Sequence, residues 1–307
     1  TTLAMPVGSP RSTCHHGSLS SHVWKPYLPS LTPSQPPAAS DFVMSGGRKV
    51  GPRFIKALSL AGELRGKRVL DVGCGRGELV IQSAMRGAEA WGIDYAQAAV
   101  DIAVRALSSV DMTLREHTHA EQMDVKALRF DDGFFGVVFM MDVVEHLYPH
   151  ELSRAFDELR RTIRPGGLLV MHTSPNKVFE EKVYPNYSRR INQAALWLST
   201  RLKFSDGLFN ETMLPTGREF PHDAFEREMH INEQSAPRLR ADVERHGFAV
   251  RDVEFWEPPA RSGYFSSRRL NVELSVLDFL RFLRPLSAHA PLNRLFCNHI
   301  WMTAVRL

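Results

Sequence analysis

The stretch Val69–Val80, VLDVGCGRGELV, runs from an apolar segment through an acid into three glycines at every second position. Its apolar start predicts a buried strand, and its glycines predict a tight turn in which the backbone can approach a ligand closely. Apolar residues at helical spacing follow as far as Gly87, so a helix is predicted after the turn. This order of strand, bare turn and helix is typical of ligand-binding α/β folds.

Strands and helices continue to alternate along the chain as far as residue 176. Strands are predicted at 67–72, 89–94, 120–124, 135–141 and 168–174, with RPGG as the turn before the fifth. A helix at 235–247 and two strands, 248–256 and 299–307, complete the pattern. Short links between alternating elements predict an α/β fold with a doubly wound, mostly parallel, seven-stranded Rossmann-like sheet.

Polar residues stand where each of the first five predicted strands ends. They are Asp71, Asp94, Asp124, Asp142 and Ser174. Ligands of doubly wound sheets bind at the carboxyl ends of the strands, so these side chains are expected to surround one site.

The glycine spacing differs from that of dinucleotide-binding proteins. Their pattern would place the third glycine at position 78, where this chain has Glu78, and the third glycine here is Gly77. Asp71 immediately before the turn would repel a pyrophosphate but would favour a cationic ligand.

These motifs resemble the class I methyltransferases that use S-adenosylmethionine. The resemblance covers about residues 50–176 and the last two strands, and includes GIDYA, MDVKALRFDD, MMDVVEHL and IRPGGLLVMHTSPN in the family's order. It implies S-adenosylmethionine as cofactor, with Asp94 as acceptor for the ribose hydroxyls and Asp124 near the adenine. The cofactor-binding residues expected from it are Asp71, Gly73, Cys74, Gly75, Gly77, Asp94, Tyr95, Asp124, Val125 and Asp142.

Three histidines are candidate catalytic bases, because imidazole can accept a proton from a hydroxyl acceptor near neutral pH. His146 follows the fourth strand, His172 lies in the fifth strand, and His230 closes an insertion. The sequence does not distinguish among them, and each is also consistent with a packing role. No metal site is predicted.

The chain divides into a tail, 1–43, and a methyltransferase-like region, 44–307. The tail is rich in Pro and Ser without periodicity and is expected to be disordered, and Met44 is a candidate native start. Residues 177–233 interrupt the alternation and are expected to form an aromatic-rich lid over an acceptor pocket. The amphipathic segment 272–296 could pack on the sheet, form a dimer contact or touch a membrane surface.

Composition limits the class of protein. The chain has 307 residues, 43% apolar and 23% charged, with a formal charge of +4 and three cysteines, which fits a cytoplasmic globular protein without disulfides or a membrane span. A small-molecule acceptor methylated on oxygen is the leading interpretation, such as a glycan, lipid, quinone or secondary metabolite. Binding to nucleic acid is not expected, and the oligomeric state is left open.

Two alternatives remain. An RNA or protein methyltransferase would use basic pairs such as Arg189/Arg190 to contact phosphates, although the sequence shows no appended RNA-binding module. A non-catalytic partner subunit would bind the cofactor without turnover.

Overall fold

The computed structural model describes residues 50–204, 209–211, 214–220, 222, 228–257, 272, 276 and 284–307. The predicted tail at 1–43 lies outside these residues, as do 273–275 and 277–283 of the amphipathic segment at 272–296. Within them, no helix is both long and apolar enough to cross a bilayer.

The fold is a seven-stranded sheet with helices on both faces, as the sequence predicts. Its strands are β1 (Arg68–Val72), β2 (Glu89–Asp94), β3 (Thr118–Gln122), β4 (Phe135–Met141), β5 (Ile163–Thr173), β6 (Phe248–Phe255) and β7 (Ile300–Arg306). They lie in the order β3-β2-β1-β4-β5-β7-β6, with β7 antiparallel to both of its neighbours. The strand order reverses between β1 and β4, which is where such sheets bind ligands.

Helices follow most of the strands and cover the sheet. They are α1 (Pro52–Ala61), α2 (Glu78–Ala84), α3 (Gln97–Ser108), α4 (Met112–Arg115), α5 (Pro149–Thr162), α6 (Arg189–Leu202), α7 (Ala236–Arg245), α8 (Arg284–Ser287) and α9 (Asn293–Phe296). A 3-10 turn spans Val144–His146 and a π-helix spans Phe179–Ser188.

The central strand β4 is covered on both faces of the sheet. All seven of its residues are buried, and those from Val137 to Met141 alternate between two apolar clusters. Val138 and Met140 pack in one cluster with Phe156 of α5, whereas Val137 and Phe139 pack in the other. Alternate side chains of a strand point to opposite faces, so an unbroken apolar run is what a doubly covered strand requires.

Three local predictions need correction. The third strand lies two residues earlier than predicted, and most of its residues are only partly buried, as expected at a sheet edge. The RPGG turn interrupts β5: the register moves from Phe135↔Ile163 to Val137↔Leu168, and Gly166 has a φ of 74°. The insertion begins with the π-helix and α6, which the sequence analysis did not predict.

Candidate active site

The glycine turn after β1 has a backbone that requires glycine. Gly73, Gly75 and Gly77 have φ values of 70°, 51° and 77°. Residues other than glycine rarely adopt this left-handed backbone conformation. The amides of Gly73 and Cys74 donate to the Ile93 carbonyl at 2.8 and 2.9 Å, which ties the turn to β2.

The surroundings of the turn distinguish Gly73 from Gly75. A Cβ atom on Gly73 would lie 2.6 Å from Val143 Cγ2, so packing against the loop after β4 excludes any side chain there. A Cβ atom on Gly75 would have no neighbour within 4 Å. The backbone at Gly75 therefore borders open space, which is the arrangement that a closely approaching ligand needs.

Asp94, at the end of β2, holds the glycine turn. Its Oδ2 accepts from the Gly75 amide at 3.1 Å and its Oδ1 accepts from the Ala96 amide at 2.9 Å. A carboxylate oxygen can accept a second hydrogen bond, so Asp94 can fix the turn and still receive hydroxyl donors.

Three buried carboxyl groups surround the turn: Asp71, Glu78 and Asp94. Burial raises the pKa of all three, and the charges of Asp94 and Glu78 raise the pKa of Asp71 further. Arg76 Nη2 lies 2.9 Å from Glu78 Oε1 and partly opposes this rise for Glu78. Buried acids with raised pKa values favour a ligand that brings positive charge, so the residues present fit a sulfonium nucleoside.

Cys74 lies inside the turn and does not have the character of a nucleophile. It is buried, and burial raises the pKa of its thiol, with the charges of Asp71 and Asp94 adding to the rise. The side chain therefore stays a neutral thiol that fills space beside the turn.

The remaining predicted cofactor residues stand at the ends of β2 and β3. Tyr95 is 47% exposed, and its carbonyl accepts from Gln122 Nε2 at 3.0 Å. Asp124 Oδ1 accepts from the Lys126 amide at 2.9 Å, and Val125 is buried. Their contact with a cofactor stays a prediction.

Asp142 belongs to a chain of hydrogen bonds across the tips of β4, β5 and β7. Its Oδ2 accepts from Arg53 Nη1 at 2.7 Å, and its Oδ1 lies 2.6 Å from His172 Nδ1. His172 Nε2 in turn lies 2.8 Å from His299 Nδ1. Burial acts to raise the pKa of Asp142, but His172 and Arg53 outweigh it and hold that pKa below its ordinary value.

These hydrogen bonds bear on the predicted roles of His172 as a base and of Asp142 as a cofactor contact. His172 is fully buried with both ring nitrogens engaged, so the geometry disfavours direct proton transfer from an acceptor. Both carboxylate oxygens of Asp142 have protein partners, so a cofactor contact would have to be added to these bonds. Both roles stay predictions, and the positions fit a supporting network.

We expect Asp142→Asn to lower the free energy of unfolding at pH 7 by about 2 kcal/mol, because a neutral amide leaves Arg53 and His172 without their charged partner. The folded-state pKa of Asp142 is depressed, so its stabilisation is present above the unfolded pKa of about 3.9 and is lost as the pH falls through the folded value. Urea unfolding at pH 7 and in acid measures both effects.

The control for this prediction is Asp157→Asn, which changes an exposed acid on α5. Equal free energies of unfolding for the Asp142 and Asp157 variants at pH 7 would show that the hydrogen bonds of Asp142 contribute nothing to stability.

His146 and His230 lie together above the tip of β4, with ring centroids 5.2 Å apart. His146 Nδ1 lies 3.0 Å from the Met229 carbonyl, which can only accept, so Nδ1 carries the hydrogen and Nε2 keeps a lone pair. Burial lowers the pKa of His146, which the Met229 carbonyl and Asp142 partly oppose. The imidazole is therefore neutral near pH 7, as a base requires.

Glu145 connects the loop after β4 to β5 and to the segment that carries His230 through hydrogen bonds. Its Oε2 accepts from the Thr173 hydroxyl at 2.8 Å, and its carbonyl accepts from the Asn232 amide at 3.1 Å. Burial, followed by the charge of Asp142, raises the pKa of Glu145 to about 8. It therefore holds a proton at neutral pH and links β5 to the segment that carries His230.

Sequence reasoning missed three residues of this site: Arg53, Glu78 and His299. Glu78 was recognised only as the residue that breaks a dinucleotide pattern, although an acid directly after the glycines could have been added to the acidic set. Arg53 and His299 carry no local signal, because their role depends on α1 and β7 meeting the tip of β4.

The comparisons with known proteins agree with this geometry. Residues 69–167 match the family model described as a methyltransferase domain. The chain is 39% identical over 114 residues to a ubiquinone biosynthesis O-methyltransferase of Alkalilimnicola ehrlichii, covering 36% of this chain and 43% of that protein. It is 35% identical over 115 residues to the protein of the same name from Bordetella avium, covering 37% and 45%.

A solved structure is similar in fold over most of the chain. An S-adenosylmethionine dependent methyltransferase from Mesorhizobium loti superposes with a TM-score of 0.50 at 16% identity, covering 83% of this chain and 96% of that chain.

The sheet order, the glycine turn and the acids at the strand ends are those of a domain with the class I methyltransferase fold. The chain contains such a domain, matched over residues 69–167, and the resemblance seen in its sequence is confirmed. The matched stretch covers less than half of the two curated relatives, both of which are named O-methyltransferases of ubiquinone biosynthesis.

Proposed function

We propose that the chain transfers the methyl group of S-adenosylmethionine to an oxygen atom of a small-molecule acceptor. The observation that carries this proposal is the open glycine turn at Gly75, bordered by buried carboxyl groups on Asp71 and Asp94. The names of the relatives favour oxygen over nitrogen or carbon, and a hydroxylated ring of the quinone type as acceptor.

The glycine turn would hold the cofactor through residues that each meet one part of it. Asp94 would accept the ribose hydroxyls, Asp124 would lie near the adenine, and Asp71 would favour the positive end of the molecule. S-adenosylmethionine, when bound, supplies a methyl group on a positively charged sulfur, which makes that carbon electrophilic. Alignment of acceptor and methyl group then contributes most of the rate enhancement.

His146 is proposed as the base for the acceptor hydroxyl. Its Nε2 lone pair would take the hydroxyl proton while the acceptor oxygen bonds to the methyl carbon and the methyl–sulfur bond breaks. The electron pair of that bond would go to sulfur, so neutral S-adenosylhomocysteine would leave. The Met229 carbonyl keeps Nδ1 protonated and the ring in place. His230 lies beside it and would contact the acceptor. His172 and Asp142 would fix the adjoining strand tips.

The predicted lid is part of the same proposal. The π-helix at Phe179–Ser188 and α6 lead away from the tip of β5, and the chain returns to the site at 228–234. Phe179, Val183 and Tyr184 pack with Phe220, and with Phe296 of α9, into a small cluster. The aromatic residues therefore stabilise the insertion itself, and we propose that its inner edge bounds the acceptor pocket.

Methyl transfer is tested with methyl-labelled S-adenosylmethionine and a panel of catechols, phenols, amines and RNA. We expect label in hydroxylated rings, identified by mass spectrometry as a methyl ether. Label mainly in RNA or protein would favour the first alternative, and cofactor binding without any product would favour a non-catalytic subunit.

Affinity for S-adenosylmethionine is expected to fall on acidification, by up to about tenfold per pH unit. The pKa of Asp71 lies well above its ordinary value, so this carboxylate takes up a proton at a higher pH than an exposed acid and then no longer attracts a cation. Calorimetric titrations between pH 8 and pH 5 measure the effect.

The demethylated product, S-adenosylhomocysteine, provides the control, since it lacks the charged sulfur and should depend less on pH. Identical pH profiles for the two ligands, or a flat profile for the charged one, would contradict the assignment to Asp71.

A further inference from the structure

A second group of side chains lies within the insertion, toward its end. Single ligand atoms of His222, His230 and Glu233 all lie within 4.8 Å of one another. All three are partly buried, and His230 and Glu233 lie at the end of the insertion, where the chain returns to the site at 228–234. Glu180, from the π-helix, places its Oε2 3.2 Å from His222 Nε2.

We propose that His222, His230 and Glu233 bind a divalent transition-metal ion of the Zn²⁺ type. Two imidazoles and one carboxylate are a donor set that Zn²⁺ takes in proteins, and nitrogen donors favour such ions over Mg²⁺ or Ca²⁺. None of its observations involves the glycine turn, but the site uses His230, which is proposed above to contact the acceptor, so its effect on the acceptor pocket rests on the proposed function.

The arrangement around His222 supports a cation. Oε2 of Glu180 and Oε1 of Glu233 lie 3.2 and 3.7 Å from the same ring nitrogen. One imidazole nitrogen has at most one hydrogen to donate, so it cannot serve two carboxylates fully. A metal ion could bind the ring and the Glu233 carboxylate together, and Glu180 lies beside the same ring.

A competing group shares His230. Ligand atoms of Glu145, His146 and His230 also lie within 4.8 Å of one another. In that group, however, Glu145 is buried and accepts from Thr173, and His146 Nδ1 is bonded to the Met229 carbonyl. All three residues of the His222 group are partly exposed, so an ion can reach them from solvent, and we assign the site there.

The consequence of this site is a cross-link between the insertion and the sheet. Glu180 lies in the first turn of the π-helix and His222 lies later in the insertion. The end of the insertion is bonded to the loop after β4, because the Asn232 amide donates to the Glu145 carbonyl. A bound ion would hold these segments together beside His146. The insertion would then be fixed over the proposed acceptor pocket by coordination.

The test uses the whole chain, freed of metal with EDTA and titrated with Zn²⁺ by calorimetry. We expect one equivalent to bind with release of protons, and excess Zn²⁺ to raise the Tm by about 5 °C. His222→Ala and Glu233→Gln should each weaken binding at least about tenfold. Glu181→Gln, an exposed neighbour of Glu180, is the matched control and should bind normally.

His146→Ala separates the two groups. Under our assignment it binds Zn²⁺ within about threefold of the parent chain, and circular dichroism confirms that each variant is folded. Absence of one-equivalent binding would overturn the proposal. So would binding that survives Glu233→Gln but is lost in His146→Ala, because the ion would then belong to the Glu145 group.

Discussion

Asp94→Ala is expected to weaken the binding of S-adenosylmethionine by about 100-fold or more. The variant loses the acceptor proposed for the ribose hydroxyls, and hydrogen bonds to a charged group contribute about 1.5–3 kcal/mol each. It also leaves the Gly75 and Ala96 amides without their carboxylate, so the glycine turn loses its tie to the end of β2. Calorimetric titration of parent and variant gives the ratio of dissociation constants.

Asp101→Ala is the matched control for this measurement. Asp101 is an exposed acid on α3 whose carboxylate accepts from Gln97 Nε2 at 2.8 Å, so its loss removes the same charge without touching the turn. A folded Asp94 variant that binds as tightly as the Asp101 variant would remove Asp94 from the cofactor site.

His146→Ala is expected to reduce turnover by about 100-fold or more, with little change in affinity for S-adenosylmethionine. General-base catalysis contributes about 10²–10⁴ in rate, and alanine cannot take the acceptor proton. Single-turnover transfer to a hydroxylated aromatic acceptor, with the cofactor saturating, measures the chemical step apart from binding.

His150→Ala controls for loss of a nearby imidazole, because His150 is exposed and stacks on Tyr148 outside the site. Turnover of the His146 variant equal to that of the His150 variant would leave His230 as the remaining histidine beside the acceptor. The same variant pair at several pH values shows whether the rate still depends on an imidazole.

Much of the sheet could be predicted because its strands carry a local signal. β2 and β4 begin and end at the predicted residues. β4 is an uncharged, mostly apolar run, and β2 is a short segment that follows the glycine stop at Gly87 and ends at the acid Asp94. The acids at the strand ends were predictable for the same reason: parallel strands bring their carboxyl ends to one edge, so sequence position becomes position in the site.

The insertion could not be predicted in the same way. Its π-helix contains Pro185 and mixes charged and aromatic residues, so it lacks the apolar spacing that indicates a helix. The helix is stabilised instead by contacts distant in sequence, such as Tyr184 with Phe220 and the Tyr184 hydroxyl with the Pro215 carbonyl. Tertiary contacts of this kind leave no periodic pattern.

The histidines show the same limit at the site. The sequence treats His146, His172 and His230 as equivalent candidates, because each stands near a strand end or a loop. Their environments differ in three dimensions: His172 is enclosed between Asp142 and His299, whereas His146 lies beside His230 with one nitrogen fixed by Met229. These differences depend on neighbours distant in sequence: Met229 is 83 residues from His146, and His299 is 127 residues from His172.

The central claim is that the turn at Gly73–Gly77 and its buried acids bind a positively charged sulfur nucleoside. Calorimetric titration of the folded chain with S-adenosylmethionine, S-adenosylhomocysteine and NAD⁺ tests it most directly. We expect S-adenosylmethionine and S-adenosylhomocysteine each to bind with a stoichiometry of one, at the same site, and NAD⁺ to give no heat of binding. Binding of NAD⁺, with no heat from either sulfur nucleoside, would contradict it.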